Sequence, residues 1–378
     1  MKKKLLAVAV VGAFALPGTA LAQSSVTISG TFKGSFESLS YGQSSKANSR
    51  SQTGVADDSS AIRFNVVEDL GGGLAAIGQL DIRFTIDGQA AIGAAGNTFL
   101  GLESKSLGRI LMGRQDLHYV NTASDLAVYG ALTASNQALM SFLGGGTTAI
   151  AGATRSANVV HYTTPNMGGL TTVIAYSANP TGSEADIASN MRKGRAWNVS
   201  PTFTHKDFNI GYSYWNSKND NNATAASIAT LTAVAGDQRG DRLAGAYNWG
   251  GLRVGLAYDK SKITNSVAGT GTVSDRIAWS LPVQYTWGNN GVYAYYTKAR
   301  NDKATAAIDG AKQFAVSYAH LLSKRTSVAL TYTRITNDVG ANYQLFTNTA
   351  FGLGNSAAQT GAAGEDPKLW AITVRHSF

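Results

Sequence analysis

Along most of the chain from Val26 onward, apolar side chains recur at every second position. Val26, Ile28, Phe32 and Phe36 alternate with Thr27, Ser29, Thr31, Lys33, Ser35 and Glu37. Leu80, Ile82 and Phe84 alternate with Gln79, Asp81 and Arg83, and Leu252, Val254, Leu256 and Tyr258 with Arg253, Gly255, Ala257 and Asp259. The longest row is Ile277, Trp279, Leu281, Val283, Tyr285 and Trp287, and the last is Trp370, Ile372, Val374 and Phe378. A period of two puts one apolar and one polar face on an extended strand, whereas a helix would scatter both around its axis. The chain is therefore expected to be all-β.

Where the polar face looks is the next question. Charged residues make up only 15% of the 378 residues, against roughly a quarter in soluble domains. The faces opposite the apolar rows are Gly, Ala, Ser, Thr and single charges rather than Lys/Glu mixtures. Tyr176, Tyr214, Trp249, Tyr258, Trp287 and Trp370 stand toward the ends of apolar rows. Rings with a polar tip prefer a lipid–water boundary. Both features favour strands with their apolar face in lipid over a soluble sandwich.

The N-terminus fits export. Lys2, Lys3 and Lys4 precede the apolar stretch from Leu5 to Leu16, Pro17 and Gly18 break it, and Ala20-Leu21-Ala22 forms an A-x-A cleavage site. Residues 1–22 are expected to be a cleaved signal peptide, with a single barrel domain over 23–378. Losing three leader lysines lowers the formal charge from +9 to +6, with the remaining basic residues scattered, which is no nucleic-acid footprint. Beyond Ala22 no uninterrupted apolar run reaches the length of a membrane helix.

Turn residues divide the rows. Short turns are expected at Asp69–Gly73, Ser104–Ser106, Pro165–Gly169, His205–Asp207, Asn248–Gly251, Gly288–Gly291 and Ser323–Arg325. Long polar connections are expected near 40–58, 88–96, 116–155, 178–193, 218–239, 261–273, 301–310 and 337–367. Seven short turns alternating with eight long loops give sixteen strands and put both termini on the short-turn side, as an even-stranded closed barrel requires. Pro201 and Pro282 fall inside strands and should each remove a ladder bond. The facing of 98–115 is ambiguous, because Arg114 shares the parity of Ile110 and Met112.

Catalytic chemistry finds little support. Cysteine is absent, which excludes thiol nucleophiles and cysteine-ligated metals. His118, His161, His205, His320 and His376 lie in no nucleophile or zinc motif, and are read as surface or interface histidines. No cofactor motif is present. Asp57-Asp58 and Glu365-Asp366 are read as solvated acids of external loops, with a weak divalent-cation or lipopolysaccharide-bridging site as the alternative.

Six segments together resemble a known family: Ser25-Val26-Thr27-Ile28-Ser29-Gly30; Glu68-Asp69-Leu70-Gly71-Gly72-Gly73-Leu74; Leu107-Gly108 through Gly113-Arg114-Gln115; Tyr162-Thr163-Thr164-Pro165-Asn166-Met167-Gly168-Gly169; Leu322-Ser323-Lys324-Arg325-Thr326; and Val374-Arg375-His376-Ser377-Phe378. In this order, ending on phenylalanine, they resemble the general trimeric porins of Gram-negative bacteria, of the beta-proteobacterial type. The resemblance covers the whole chain. It implies a 16-stranded antiparallel transmembrane β-barrel with short periplasmic turns and long extracellular loops. It also implies a homotrimer in outer-membrane lipid and lipopolysaccharide, exported through the general secretory pathway and read by the assembly machinery at Phe378. Val26, Ile28, Phe32, Trp370 and Ile372 are the candidate trimer or lipid contacts.

Such porins fold the third loop, here about 116–155, into the lumen, with arginines on the wall facing acids on the loop. The match is partial: Arg63 stands where glycine is usual, and Ala61 and Asn65 where arginines are usual. Arg155 matches a family arginine, while the loop offers Asp116 and Asp125. By alternation Lys33, Arg63, Arg83, Arg253, Arg276 and Arg375 face inward against Glu37, Asp81 and Asp259. The candidate constriction residues are Lys33, Arg63, Asp81, Arg83, Asp116, Asp125 and Arg155. Their basic excess predicts passive diffusion of ions and small hydrophilic solutes with weak anion preference; dominance of the Asp125 region would reverse the sign. A sugar- or organic-acid-selective channel using Tyr119, Tyr129 and Phe142, a plugged barrel and a barrel enzyme are the alternatives. Edman sequencing of the mature protein should begin at Gln23; an intact Met1 would refute the leader.

Overall fold

The computed structural model describes residues 24–42, 50–86, 93, 96–118, 129–140, 155–180, 195–218, 237–265, 271–346 and 362–378. Asp125, Tyr119, Phe142 and the leader lie outside them.

β1 (Ser25–Gly42) forms the seam of a closed antiparallel sheet. One edge pairs with β17 (Asp366–Ser377), in register from Thr31 opposite Ser377 to Gly42 opposite Asp366. The other edge pairs first with β3 (Ala61–Gly71) and then with β2 (Arg50–Asp57). β2 and β3 are one strand interrupted at 58–60, so the barrel has sixteen strands. Closure leaves no edge, which a sheet in hydrocarbon requires. At the seam the Gly30 and Phe378 backbones exchange both hydrogen bonds, at 3.0 and 3.1 Å.

The turns fall where glycine, asparagine and proline cluster. β3 joins β4 (Leu74–Arg83) through Gly72 and Gly73, both with positive φ, which glycine adopts without steric cost. The other hairpins join β5 (Thr98–Ser104) to β6 (Gly108–Asp116), β7 (Arg155–Thr163) to β8 (Leu170–Ser177), and β9 (Arg195–His205) to β10 (Phe208–Lys218). β11 (Asp237–Trp249) then turns into β12 (Leu252–Asn265), β13 (Gly271–Trp287) into β14 (Asn290–Ala299), and β15 (Ala311–Leu321) into β16 (Thr326–Asn337). All seven short turns match the sequence reading. The first long connection runs shorter than expected, since β1 extends to Gly42 and 50–57 is strand rather than loop, while the second, expected at 88–96, spans 84–97.

Side-chain facing follows the alternation. Val26, Ile28, Phe32, Trp370 and Ile372 all point outward and are exposed. The inner face is small or polar, as at Ser213, Ala244, Ala257, Ser280 and Thr331, all buried. Rings gather outside at two levels. Trp249, Tyr285, Trp287 and Tyr318 lie near the short turns. Tyr176 with Trp197, Trp279 with Tyr296, and Tyr332 with Trp370 lie toward the long loops, at centroid distances of 4.5, 5.4 and 4.6 Å. Two aromatic levels around an apolar band are what a barrel shows at the two faces of a bilayer.

The local irregularities have plain causes. The ladder from β9 to β10 skips at Pro201, and that from β12 to β13 skips at Pro282, since neither has an N–H to donate. Between β6 and β7 the register shifts, with Ala157 and Asn158 of β7 opposite Arg114 alone and Asn158 at a left-handed φ of 52°, so the bulge is on β7. β6 itself alternates regularly: Ile110, Met112 and Arg114 face outward, and Leu111 and Gln115 are buried inside.

Loop residue Asp302 clasps the long-loop rim. It accepts hydrogen bonds from the Asp275 and Ala304 amides, at 2.8 and 2.9 Å, and from Ser274 Oγ at 2.6 Å, with Arg276 Nε at 3.2 Å. Burial alone would raise its pKa, but these donors hold the carboxyl below the ordinary aspartate value. A depressed pKa stabilises the fold above the unfolded-state value and loses that contribution as pH falls through the folded one. The protection factors of the Asp275 and Ala304 amides, corrected for the intrinsic exchange rate at each pH, should therefore fall on acidification through and below the ordinary aspartate range and hold at neutral pH. At the seam, a Cβ on Gly30 would sit 2.7 Å from the Ala61 carbonyl oxygen. Gly30→Val should cost on the order of 1–3 kcal/mol, read as a lower melting temperature of the heat-modifiable folded form.

Candidate functional site

The inner wall from β3 to β7 carries a run of arginines tied to two acids. Arg63 and Asp81 are direct cross-strand partners, and Arg63 Nε donates to Asp81 Oδ2 at 3.2 Å. Arg83 lies two residues along the same face. Its Nε and Nη2 donate to the two oxygens of Asp81, both at 2.8 Å, in a forked contact. Its Nη1 donates to Ser59 Oγ. Asp81 is thus shared by two guanidinium groups. Gly96 packs over it, and a Cβ there would fall 2.0 Å from the Asp81 Cγ.

Further round the wall Arg155 opens β7 opposite Asp116, with Nε 3.4 Å from Asp116 Oδ1. Arg155 also feels the charges of Arg83, Asp81 and Arg114, so both clusters share one electrostatic neighbourhood. Arg63, Arg83 and Arg155 outnumber Asp81 and Asp116 on the inner wall. In a wall of low dielectric that surplus is weakly screened. Arg63 and Arg155 keep 34% and 26% of their side chains accessible, whereas Arg83 is buried behind them at 9%.

The third long connection folds inward in two described pieces. Leu117 packs with Val159, Ala175, Ala196 and Trp215 on the inner faces of β7 to β10. His118 follows, fully buried, with Nδ1 2.8 Å from Ser213 Oγ. Residues 129–140 lie against β13 to β17 and β1. The Tyr129 ring stacks on Tyr293 at 5.0 Å and its hydroxyl donates to Ser327. Asn136 Nδ2 donates to Ser280 Oγ at 3.1 Å, and the Tyr295 hydroxyl donates to the Ala134 carbonyl. Ala131, Ala138, Leu139 and Met140 fill the space against Ala244, Ala257, Ile335 and Leu369. Tyr129 is engaged in holding the loop rather than offering a free aromatic surface.

Acids supply the anchors of this segment. Three residues, 58–60, stand opposite two, Phe32 and Lys33, on β1, and Ser59 takes a left-handed φ of 77°. Asp58 keeps the inward phase of Ala56, and the extra residue shifts the alternation so that Ala61 and Arg63 beyond it face inward as well. Asp58 Oδ1 accepts from the Leu132 amide at 2.6 Å, and Oδ2 accepts from Ser35 Oγ. Glu37 Oε1 accepts from Thr133 Oγ1 at 2.8 Å. Asp57 Oδ2 caps the bulge by accepting the Ser59 and Ser60 amides. Lys33 lies beside this group, its nearest charges being Asp58, Arg375, Asp57 and Glu37.

Several sequence readings are corrected here. Asp57 and Asp58 are buried wall residues, not solvated loop acids, and Glu365 is buried too. His118 and His161 are buried inside the barrel, not surface histidines. Sequence reasoning missed Arg242, which is buried opposite Asp259 and beside His118. Its parity on β11 with Ala244 and Ala246 was the available signal. Lys33 and Arg63 stand on one stretch of wall near the seam, Asp81 and Arg83 next to it, and Asp116 with Arg155 where the third loop leaves and returns.

A sixteen-stranded closed barrel with a charged inner wall and an inward-folded third loop is the build of an outer-membrane channel. A model of Gram-negative porins matches residues 7–340, and the chain belongs to that family. It is therefore a porin of the Gram-negative outer membrane. The chain is 28% identical to outer membrane porin protein 32 of Delftia acidovorans over the full length of both. It is 35% identical to the major outer membrane protein P.IB of Neisseria meningitidis serogroup B over 117 residues, covering 30% of this chain and 34% of that one. Among solved structures, the anion-selective porin from Comamonas acidovorans superposes with a TM-score of 0.73 at 19% identity, covering 94% of this chain and all of that one. The trimer form of OmpT from Vibrio cholerae gives 0.62 at 14% identity over 94% of this chain and 99% of that one.

The Asp58 anchor has a measurable consequence. Asp58→Ala removes the acceptor of the Leu132 amide, a buried bond to a charged group worth about 1.5–3 kcal/mol. Open-channel current noise should rise and the melting temperature fall, while Asp58→Asn, which keeps an acceptor oxygen, should lie closer to wild type.

Proposed function

We propose that the protein is a homotrimeric general diffusion porin with weak anion preference. Its narrow zone is bounded by Lys33, Arg63, Asp81, Arg83, Asp116 and Arg155 on the wall and by the third loop, including Asp125. The observation that carries this reading is the sharing of Asp81 between Arg63 and Arg83. One carboxylate neutralises only one of two guanidinium groups, and Arg155 with Asp116 adds a pair of no net charge. The wall keeps a positive surplus where solute passes, and a fixed field of one sign sorts ions by charge. The porin from Comamonas acidovorans, of like fold, is anion-selective.

The remaining parts of the reading concern assembly. Residues 1–22 are removed on export. Outward Val26, Ile28, Phe32, Trp370 and Ile372 at the seam serve subunit or lipid contact, and the V. cholerae relative of like fold has a trimer form. Phe378 carries the signal for the assembly machinery. Small hydrophilic solutes and ions are the cargo, and the channel performs no catalysis.

Planar-bilayer conductance with a salt gradient tests the reading. Steps grouped in threes with a reversal potential of anion sign are expected. Arg63→Gln with Arg155→Gln should lower the anion-to-cation permeability ratio by about two- to fivefold, since each removes a partly screened lumen charge of roughly 0.5 kcal/mol. A cation-sign potential in the wild type would overturn the preference and shift weight to Asp116 and Asp125. A folded barrel without conductance would overturn the diffusion reading.

A further inference from the structure

The second long connection returns to the wall through residues that touch both acids of the narrow zone. Gln79 pairs with Phe99 and Arg83 with Gly93, so the returning chain carries two more residues than β4 does between those pairs. The extra length folds Gly96 against Asp81. Gly96 N donates to the Asp81 carbonyl at 3.2 Å, and Gly93 exchanges both backbone bonds with Arg83, at 2.9 and 3.3 Å. Asn97 is fixed on two sides: its carbonyl accepts from Gln79 Nε2, and its Oδ1 accepts from the Asp116 amide, both at 2.8 Å. Thr98 Oγ1 accepts from the Asp81 amide at 3.4 Å.

This segment and two guanidinium groups enclose the Asp81 carboxyl. Asp81 is 1% exposed, and Gly96 is buried. A Cβ built on Gly96 would overlap the Asp81 Cγ and both carboxylate oxygens, and these are its three nearest atoms. No main-chain atom is among them. The φ of Gly96 lies outside the left-handed region, so the backbone itself accepts alanine. The space left by the missing side chain is filled by a carboxylate.

That space decides where a charge sits. Arg63 Nε, Arg83 Nε and Arg83 Nη2 converge on the two carboxylate oxygens only while the carboxylate lies against Gly96. So placed, the acid is hidden from passing solute, whereas Arg63 keeps 34% of its side chain accessible. A methyl group at position 96 finds no relief in the main chain, which is pinned at Gly93, Gly96 and Asn97. The carboxylate is the group left to turn. The cluster is open on the side of Arg63 and closed on the side of Arg83, which is 9% accessible. A displaced carboxylate therefore leaves the fork toward the lumen and takes its negative charge with it.

We propose that Gly96 is a positioning residue for ion selection: uncharged itself, it sets the preference of the pore through the place it leaves for the Asp81 carboxylate. A side chain at this position changes the field in the lumen without changing the net charge of the wall. The proposal rests on the functional reading above for the location of the narrow zone at Arg63, Asp81 and Arg83, and not for the sign of the preference.

The test measures the reversal potential across a salt gradient in planar bilayers. It uses the full mature porin, Gly96→Ala, Asp81→Asn and the two substitutions together. Gly96→Ala should lower the anion-to-cation permeability ratio by about twofold, as expected for one partly screened charge brought into the lumen. In the Asp81→Asn background the same alanine should leave the ratio where Asp81→Asn alone puts it, because an amide of equal size moves without moving a charge. An unchanged or higher ratio in Gly96→Ala, or an equal shift in both backgrounds, would overturn the proposal. The melting temperature of the heat-modifiable form reads packing separately, since a purely structural role for Gly96 would lower it in both backgrounds and leave the ratio alone. If Gly96→Ala does not fold, Asp81→Glu decides: its longer side chain has no room for the carboxylate against Gly96, so the ratio should fall, and an unchanged ratio would overturn the proposal. Asp81→Asn alone should raise the ratio; no change there would overturn both readings, since the narrow zone would lie elsewhere. A wild type of cation sign whose ratio still falls with Gly96→Ala only in the presence of the Asp81 charge would sink the anion preference and keep the role of Gly96.

Discussion

The structure depends on the closure of the backbone hydrogen-bond ladder between β1 and β17. In hydrocarbon no water is available to an unpaired N–H or C=O, so a sheet with an edge is untenable there. The seam pairs the first strand with the last over nearly its whole length. Phe378 completes it by exchanging backbone bonds with Gly30. Everything else follows from closing on a period of two: one face must meet lipid and the other must enclose the lumen.

Inside that enclosure, charge serves two separate ends. Asp58 and Glu37 are buried acceptors that fix the third loop to the wall. Their charges are spent on amides, hydroxyls and the neighbouring Lys33, and contribute position rather than selectivity. Arg63 and Arg155 retain access to solvent and supply the field. Arg63 lies on the strand that adjoins Glu37 and follows Asp58, which couples the placement of the loop to that part of the wall.

Much of this was legible in the chain. The alternating rows identify which side of each strand meets lipid, and the Gly/Asn/Pro clusters locate all seven hairpins, because both signals are local. Pro201 and Pro282 announce their own gaps in the ladder. The bulge at 58–60 was not legible: Asp57-Asp58-Ser59-Ser60 reads as loop, and only pairing with β1 shows that three residues oppose two. The burial of His118 was equally hidden, since it depends on Ser213 and Arg242, far away in sequence.

The sequence by itself determined the architecture: period two, turn chemistry and an even strand count admit a closed barrel and little else. Only the tertiary structure decided which charges work together. Asp81 meets Arg63 across one strand pair, and Asp116 meets Arg155 at the two ends of a long loop. Strand facing is set by neighbours along the chain, whereas register between strands is set by the whole closed ladder, and side-chain charges interact through register.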